Sequence, residues 1–536
     1  MSINDIIDRM TLAEKIGQLF QVGFSDTTPN DHIRDMIKNY HVGGVIYFSR
    51  NIKNLQQTAK LSNKLQELAL NTGSKIPLFI SADQEGGIVT RLNGGTHFPG
   101  NMALGAAGSG DLARKAGKAT ATELKNTGIN MNLAPVLDVN NNPDNPVIGV
   151  RSFGEDPELV ANLGSSYFEG LQSEGVIACG KHFPGHGDTD LDSHLSLPVI
   201  AHNKKRLNQI ELVPFKRAIT KGIDSIMTAH VHFPAIKKEI GVAANLSKKV
   251  LTGLLREELN FNGLIITDCM EMNAIADSFG TVEGAIRAFV AGSDLILISH
   301  SHQKQKRAIK AMKEAVKSNR ISEKRINESL KRILKLKQKR LGLKKVEFQK
   351  ADYKKINLEY NQEIAEEISE ASVTLVKGEN IVPIKDIKNK KISVIDFSTK
   401  RGSLVEDNKN YNNIFIDYLK KKTNDLKHFQ YNLKEKIPKN DERELKNSDY
   451  IIVCISDGDK NKEQIEIAEN LARENIVIVA AFRNPYDYKY IKKSEAFLTI
   501  YDYSPSNQKT AADIIIGDKK AKGRLPITVR NEKNEK

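Results

Sequence analysis

Val176-Ile177-Ala178-Cys179-Gly180 runs straight into Lys181-His182-Phe183-Pro184-Gly185-His186-Gly187-Asp188-Thr189-Asp190-Leu191-Asp192-Ser193-His194. The first five residues are a short apolar run closed by glycine, the pattern of a buried strand. The next fourteen hold three histidines, three aspartates, one lysine and two glycines. Gly185 and Gly187 free the backbone and Pro184 stiffens its start, so the stretch reads as a loop at the strand's end. A loop that only connects elements has no need of so many ionisable groups. On a rigid scaffold, loops of this kind carry chemistry.

The same unit recurs along the chain. Apolar runs stand at 18–24, 43–48, 77–82, 129–135, 176–180, 225–230, 264–267 and 294–298. Helical patterns separate them at 31–40, 54–70, 112–126, 157–174, 204–220, 247–259 and 282–291. Several of these open on Asp, Asn or Ser and end near Gly, as capped helices do. Continuous apolar strands alternating with amphipathic helices imply a parallel sheet covered by helices. Eight strands fit a (β/α)8 barrel, and an open doubly wound sheet is the competing fold.

The polar residues decide between the two. Asp83 follows the third run, Asp138 lies beyond the fourth, and Lys181 and His182 follow the fifth. His230 and His232 close the sixth, Asp268 follows the seventh, and Ser299 and His300 follow the eighth. An open sheet concentrates its site at one switch point. A barrel gathers all strand ends on one face. The expected fold is therefore α/β, a (β/α)8 TIM-type barrel over 1–343.

A chain of 536 residues is too long for one core. Residues 302–342 are helical and basic, with Ile326, Leu330, Ile333 and Leu334 at helical spacing. The polar stretch 344–361 reads as a linker. A second domain follows over 362–536, with strands expected at 373–376, 392–397, 450–456, 476–482 and 497–501 between helices. That pattern implies a smaller α/β sandwich, to which we assign a packing role.

The formal charge of +14 raises the question of nucleic acid. The excess sits in lysine-rich, helix-like stretches without interleaved aromatics or zinc-finger spacing, so it reads as a solvated basic face and no nucleic-acid partner is expected. No apolar run approaches the roughly 20 residues of a membrane span, so no membrane partner is expected. The first residues have no leader-like pattern, and a cytoplasmic location is expected unless a leader has been removed. Cys179, Cys269 and Cys454 lie far apart in or beside apolar runs and read as buried free thiols.

Three chemistries can be weighed for 181–194. As a metal site, His182 and His186 have a spacing that helps only on a helix, and Pro184-Gly185 between them prevents one. As a phosphate loop, Gly175-x-x-x-x-Gly180-Lys181 is followed by His rather than Ser or Thr, and its interior is an apolar strand. As an acid–base site, Asp192-Ser193-His194 sets a carboxylate two residues from an imidazole. A carboxylate accepting from one ring nitrogen fixes the tautomer and leaves the other nitrogen to move a proton. Spacing alone leaves a local hydrogen bond equally open.

At this point the residues resemble a family. The stretch 181–194 is similar to the signature of the β-N-acetylglucosaminidases of glycoside hydrolase family 3: Lys-His-Phe-Pro-Gly-His-Gly-Asp-Thr, two variable residues, then Asp-Ser-His. The resemblance extends to Ala82-Asp83-Gln84-Glu85-Gly86-Gly87 with Arg91, to Ile148-Gly149-Val150-Arg151-Ser152-Phe153, and to Thr267-Asp268-Cys269-Met270-Glu271-Met272. Gly523-Arg524-Leu525-Pro526 resembles the closing motif of the family's second domain.

The resemblance implies that Asp268 is the nucleophile and His194, held by Asp192, the acid/base. It implies that Asp83, Arg151, Lys181 and His182 bind sugar hydroxyls, and it calls for no metal or organic cofactor. The expected activity is that of an exo-acting retaining β-N-acetylglucosaminidase (a β-N-acetylhexosaminidase). Its expected substrate is N-acetylglucosamine β-linked to muramic acid, in fragments of peptidoglycan recycled from the cell wall. A phosphorylase or β-glucosidase of the same fold is the rival enzyme, and an inactive carbohydrate-binding protein the rival of another class. Replacing Lys181 or His182 is expected to weaken binding with little loss of stability, because strand-end side chains stand at an open barrel face. The oligomeric state is not legible in the sequence.

Overall fold

The structure is a computed structural model. It describes residues 2–193, 197–236, 241–343, 350–398, 406, 412–433 and 437–529. Eight parallel strands form the first sheet: β1 Phe20–Gly23, β2 Gly44–Tyr47, β3 Phe79–Ala82, β4 Met131–Asn132, β5 Ile177–Phe183, β6 Ser225–Thr228, β7 Leu264–Thr267 and β8 Ile296–Ile298. They follow one another in sequence order, and β8 pairs with β1. The ring is completed between β7 and β8 by a parallel bridge, Ile266 to Leu295, and by the Thr267 N–H donating to Leu295 O at 3.1 Å. The expected barrel is the observed one, and each of the eight apolar runs supplies a strand. Every strand residue in β1, β2, β3 and β5 to β8 is buried. Those residues touch core on both sides, so their sequences read as unbroken apolar runs rather than alternating ones.

Helices cover the ring. Leu55–Leu70 begins with Asn54 accepting from the Gln57 N–H, and Pro157–Ser173 with Asp156 accepting from the Glu158 N–H. The expected helix near 247–259 is a π-helix over Lys249–Glu258. The basic helix Glu323–Leu341 buries Ile326, Leu330, Ile333 and Leu334, as its spacing predicts. Helix Leu358–Ser372 starts inside the stretch expected to be linker. It places Ile364, Ala365 and Ile368 in the same hydrophobic core as the barrel.

The second sheet has six strands: β9 Thr374–Lys377, β10 Lys391–Ser398, β11 Asp425–Asn432, β12 Tyr450–Ile455, β13 Val477–Ala481 and β14 Ala496–Thr499. Their order is β9-β14-β13-β12-β10-β11, with only β9 antiparallel to its neighbour. Alternate residues feed opposite layers. Ile392 and Val394 enter one hydrophobic cluster, Ile395 and Phe397 the other. This is the expected sandwich. The sequence reading missed β11, Asp-Leu-Lys-His-Phe-Gln-Tyr-Asn, because an edge strand with polar residues along it lacks an apolar signature.

The two domains pack through a shared cluster of Met102, Ala103, Ala106, Val150, Tyr486, Tyr501 and Ile527. Backbone contacts add to it: the Arg524 N–H donates to Ala106 O at 3.0 Å and the Glu155 N–H to Pro526 O at 3.1 Å. Asp502 Oδ2 accepts from the Gly100 N–H at 2.7 Å. The motif 523–526 is thus a seam between domains.

Candidate active site

The strand ends converge on a cavity of about 510 Å3. Asp83, Arg151, Lys181, His182 and Asp268 all line it, so five of the seven residues picked from the sequence meet in one place. Ser193, between the two members of the expected dyad, also lines it. Asp192 is partly buried, and His194 lies outside the described residues.

β5 delivers two of these groups. It runs to Phe183, further than the Gly180 ending read from the sequence, so Lys181 and His182 belong to the strand itself. Neighbouring strand residues normally face opposite sides. The register between β5 and β6 shifts between Gly180 and Phe183, and this irregularity lets both side chains face the cavity. Beyond it, Gly187 approaches the backbone so closely that a Cβ there would sit 1.7 Å from Val139 O.

An ion network forms the floor. Lys181 Nζ lies 2.7 Å from Asp83 Oδ1 and 2.7 Å from Glu85 Oε1. Arg151 grips Glu85 with two parallel bonds, Nε to Oε2 and Nη2 to Oε1, both 2.9 Å. Its Nη1 donates to Val147 O at 2.9 Å. Burial alone would push the Glu85 carboxyl up, but Arg151 and Lys181 outweigh it and hold the group well below the usual carboxylate range. Burial would likewise lower Lys181, and Asp83 and Glu85 outweigh that to raise it. Glu85 and Lys181 are therefore held in their charged forms, and Lys181 and Asp83 line the cavity.

His182 is oriented from behind. Its Nδ1 lies 2.7 Å from Asp138 Oδ2, and a carboxylate can only accept, so Nδ1 carries the proton. Nε2 is left to meet a ligand. Asp138 Oδ1 also accepts from the backbone N–H groups of His182 and His186, at 3.1 and 2.8 Å. Burial works against an ionised Asp138, yet His182 and these bonds hold its carboxyl below the usual range. His186 has both ring nitrogens engaged, Nδ1 with Thr189 Oγ1 and Nε2 with Ser193 Oγ, each at 3.0 Å. Burial pushes its imidazole down to about 4, so it is neutral and structural.

Asp268 follows β7. Its Oδ1 accepts from the Cys269 N–H at 2.7 Å, which fixes the carboxylate at the cavity wall. Sequence reasoning assigned no role to Glu85, although it lies within the quoted segment 82–87; its function emerges only from the pairing with Lys181 and Arg151. Arg50, Arg91 and His300 also line the cavity. His302 instead stacks on His32, with ring centroids 3.9 Å apart. Glu406, from the second domain, is a further wall residue, held by Arg483, which Asp457 also binds. No sequence pattern marked it. The packing role assigned to the second domain is therefore incomplete.

One expectation needs correction. Lys181 and His182 are 2% and 6% exposed, and both are tied into buried pairs. Replacing Lys181 by Met should weaken binding and also lower the melting temperature, since it leaves Glu85 and Asp83 short of a counter-charge. Glu85→Gln isolates the structural part. Removing one partner of a buried pair costs about 3–5 kcal/mol, and urea unfolding should show a loss of that size. Because the Glu85 pKa is depressed, its contribution is present above the ordinary glutamate value of about 4.3. It declines progressively as pH falls below that value toward the depressed one, and below the depressed value it is gone.

A closed parallel barrel with a carboxylate, an oriented imidazole and an ionised floor at its strand ends defines a barrel enzyme acting on a polar small molecule. Residues 11–336 match the glycosyl hydrolase family 3 N-terminal domain, and residues 373–536 match that family's C-terminal domain. The chain belongs to glycoside hydrolase family 3.

It is 36% identical over 381 residues to β-hexosaminidase A of Pseudoalteromonas piscicida, a match covering 67% of this chain and 63% of that protein, so under two thirds of the relative is spanned. It is 31% identical over 405 residues to a β-N-acetylglucosaminidase/β-glucosidase of Cellulomonas fimi, covering 72% of this chain and 69% of the other. Among solved structures, a family 3 β-N-acetylglucosaminidase from Paenibacillus sp. str. FPU-7 superposes with a TM-score of 0.89 at 41% identity, covering 97% of this chain and 99% of that one.

Proposed function

We propose that the protein is an exo-acting, retaining β-N-acetylglucosaminidase. The observation that carries this reading is the cavity itself. Its floor of Lys181, Asp83 and Arg151 offers fixed hydrogen-bonding groups for sugar hydroxyls, with Asp268 on the wall. Its volume of about 510 Å3 lies in the range of sites for small molecules. The names of the Pseudoalteromonas and Paenibacillus relatives support the amino sugar, and the Cellulomonas fimi relative is named for both the amino sugar and glucose.

In this reading Asp268 attacks the anomeric carbon and the glycosidic C–O bond breaks. The leaving oxygen takes a proton from His194, whose other nitrogen donates to Asp192. Water, deprotonated by His194, then releases the sugar from Asp268. His182 Nε2, Lys181, Asp83 and Arg151 orient the ring. The substrate we assign is a peptidoglycan fragment, N-acetylglucosamine β-linked to muramic acid with or without its peptide. The setting is cell-wall recycling in the cytoplasm, where Cys179, Cys269 and Cys454 would stay reduced; all three are free and buried. Among the described residues no helix is long and apolar enough to cross a membrane.

Mass spectrometry of products from muropeptides, run with and without phosphate, tests this. Free N-acetylglucosamine in both conditions is the expected result. A sugar 1-phosphate that appears only with phosphate would make the enzyme a phosphorylase, and faster turnover of nitrophenyl glucoside than of the N-acetylglucosaminide would make it a β-glucosidase.

A further inference from the structure

The loop that carries Asp192 and Ser193 leaves β5 and returns toward helix Lys204–Gln209, and side chains outside the cavity tie its base. His202 Nε2 lies 2.5 Å from Asp188 Oδ2, and since a carboxylate only accepts, Nε2–H donates. Arg206 Nη2 stands 3.6 Å from Asp188 Oδ2 and 3.4 Å from Glu211 Oε1. Glu211 is buried and backs the loop: a Cβ on Gly185 would sit 2.9 Å from Glu211 Cβ.

Asp188, His202 and Glu211 bring ligand atoms within 4.8 Å of one another, close enough to hold a metal ion. The guanidinium of Arg206 already stands against both carboxylates. A permanent positive charge occupies the place a cation would need, and the arrangement is better suited to holding protein segments together.

Each limb of the loop is separately anchored. On the outgoing limb, Asn145 Nδ2 donates to His186 O and Gly187 O, both at 2.9 Å. On the returning limb, the His232 N–H donates to Pro198 O at 2.8 Å and the Ile200 N–H to His232 O at 2.9 Å. The Asp188–His202 pair joins the two limbs directly. We propose that Asp188, His202 and Arg206 are positioning residues that clamp the base of this loop and so set the place of Asp192 and of Ser193, which lines the cavity. None of the three lines the cavity. The inference rests on the reading of the dyad as acid/base.

Asp188 and His202 are partly exposed, so little stability depends on their pair. What the clamp controls is geometry, and a shift of about 1 Å in a proton donor can cost on the order of 10²-fold. The test is His202→Ala in the full chain, read as kcat/KM, which reports the first chemical step.

On a β-linked N-acetylglucosaminyl disaccharide, a loss of about 10- to 100-fold is expected. On the dinitrophenyl N-acetylglucosaminide, whose leaving group departs unprotonated, the loss should stay within about threefold. The melting temperature should hold. His202→Gln, which keeps an N–H at similar reach, should recover most of the disaccharide activity. Equal losses on the two substrates, no loss, or no recovery with glutamine each overturn the clamp. Asp192→Ala run alongside separates the two claims. If it shows the leaving-group pattern and His202→Ala does not, the clamp alone is wrong; if it shows none, the acid/base reading fails and the clamp falls with it.

Discussion

Asp268→Ala is expected to abolish turnover of every glycoside, by about 10⁴-fold or more, the scale of losing a catalytic nucleophile. Asp268 stands at the cavity wall after β7, where Cys269 N–H fixes one carboxylate oxygen at 2.7 Å. Its removal takes away the group that would form the glycosyl-enzyme bond, and nearby carboxylates are not free to replace it. Asp83 is paired with Lys181, and Glu85 is shared between Lys181 and Arg151. Because Asp268 is only partly buried, the melting temperature should change far less than turnover. Turnover of nitrophenyl N-acetylglucosaminide, measured beside a thermal melt, checks both halves. A fluorinated mechanism-based sugar should label Asp268 in the wild-type protein. Near-normal turnover in the variant, or a label on another residue, would remove Asp268 from the mechanism.

Much of this site was legible in the sequence because a barrel converts order along the chain into position around a ring. Asp83, Lys181, His182 and Asp268 were placed at strand ends by counting apolar runs, and a closed sheet brings such ends to one face whatever their separation. The burial of Lys181 was not legible. Lysine after a glycine at a strand end reads as exposed until Asp83 and Glu85, nearly a hundred residues earlier, are known to stand against it. Nor was the continuation of β5 through Lys181 and His182, since the polar residues that face the cavity break the apolar pattern that defines a strand.

The second domain shows a different limit. Its central strands announce themselves as apolar runs, but β11 is polar along an edge and leaves no such signal. Glu406 reaches the cavity from the chain that follows β10, at the point where the strand order reverses between β11 on one side and β12 on the other. Loops at the carboxyl ends of strands beside such a switch point are where open α/β sheets present functional groups. Topology thus accounts for the place of Glu406, and Arg483, braced by Asp457, for its orientation. Neither is visible before the strands are ordered.

His194→Ala should cost activity in proportion to how badly the leaving group needs a proton. A sugar alkoxide leaves poorly, so kcat/KM on a disaccharide should fall by the ~10²–10⁴ typical of general acid catalysis. A dinitrophenolate leaves unaided, and the first step on that substrate should fall far less. His194 itself lies outside the described residues; Ser193 beside it in sequence is described. Ser193 lines the cavity and is held by His186 Nε2 at 3.0 Å. The His186 imidazole is neutral above about pH 4, so across neutral pH one ring nitrogen stays available to accept from Ser193. Thr189 takes the Nδ1 proton at 3.0 Å. The Ser193 side chain is therefore held at the cavity edge. Asp192→Ala should repeat the leaving-group pattern in weaker form, because an imidazole without a carboxylate partner loses both its orientation and the support for its charged state. If His194→Ala instead lost equally on both substrates, His194 would be a sugar-binding residue. The proton would then have to come from elsewhere on the cavity wall, and Glu406, the carboxylate the second domain contributes, would be the first group to replace.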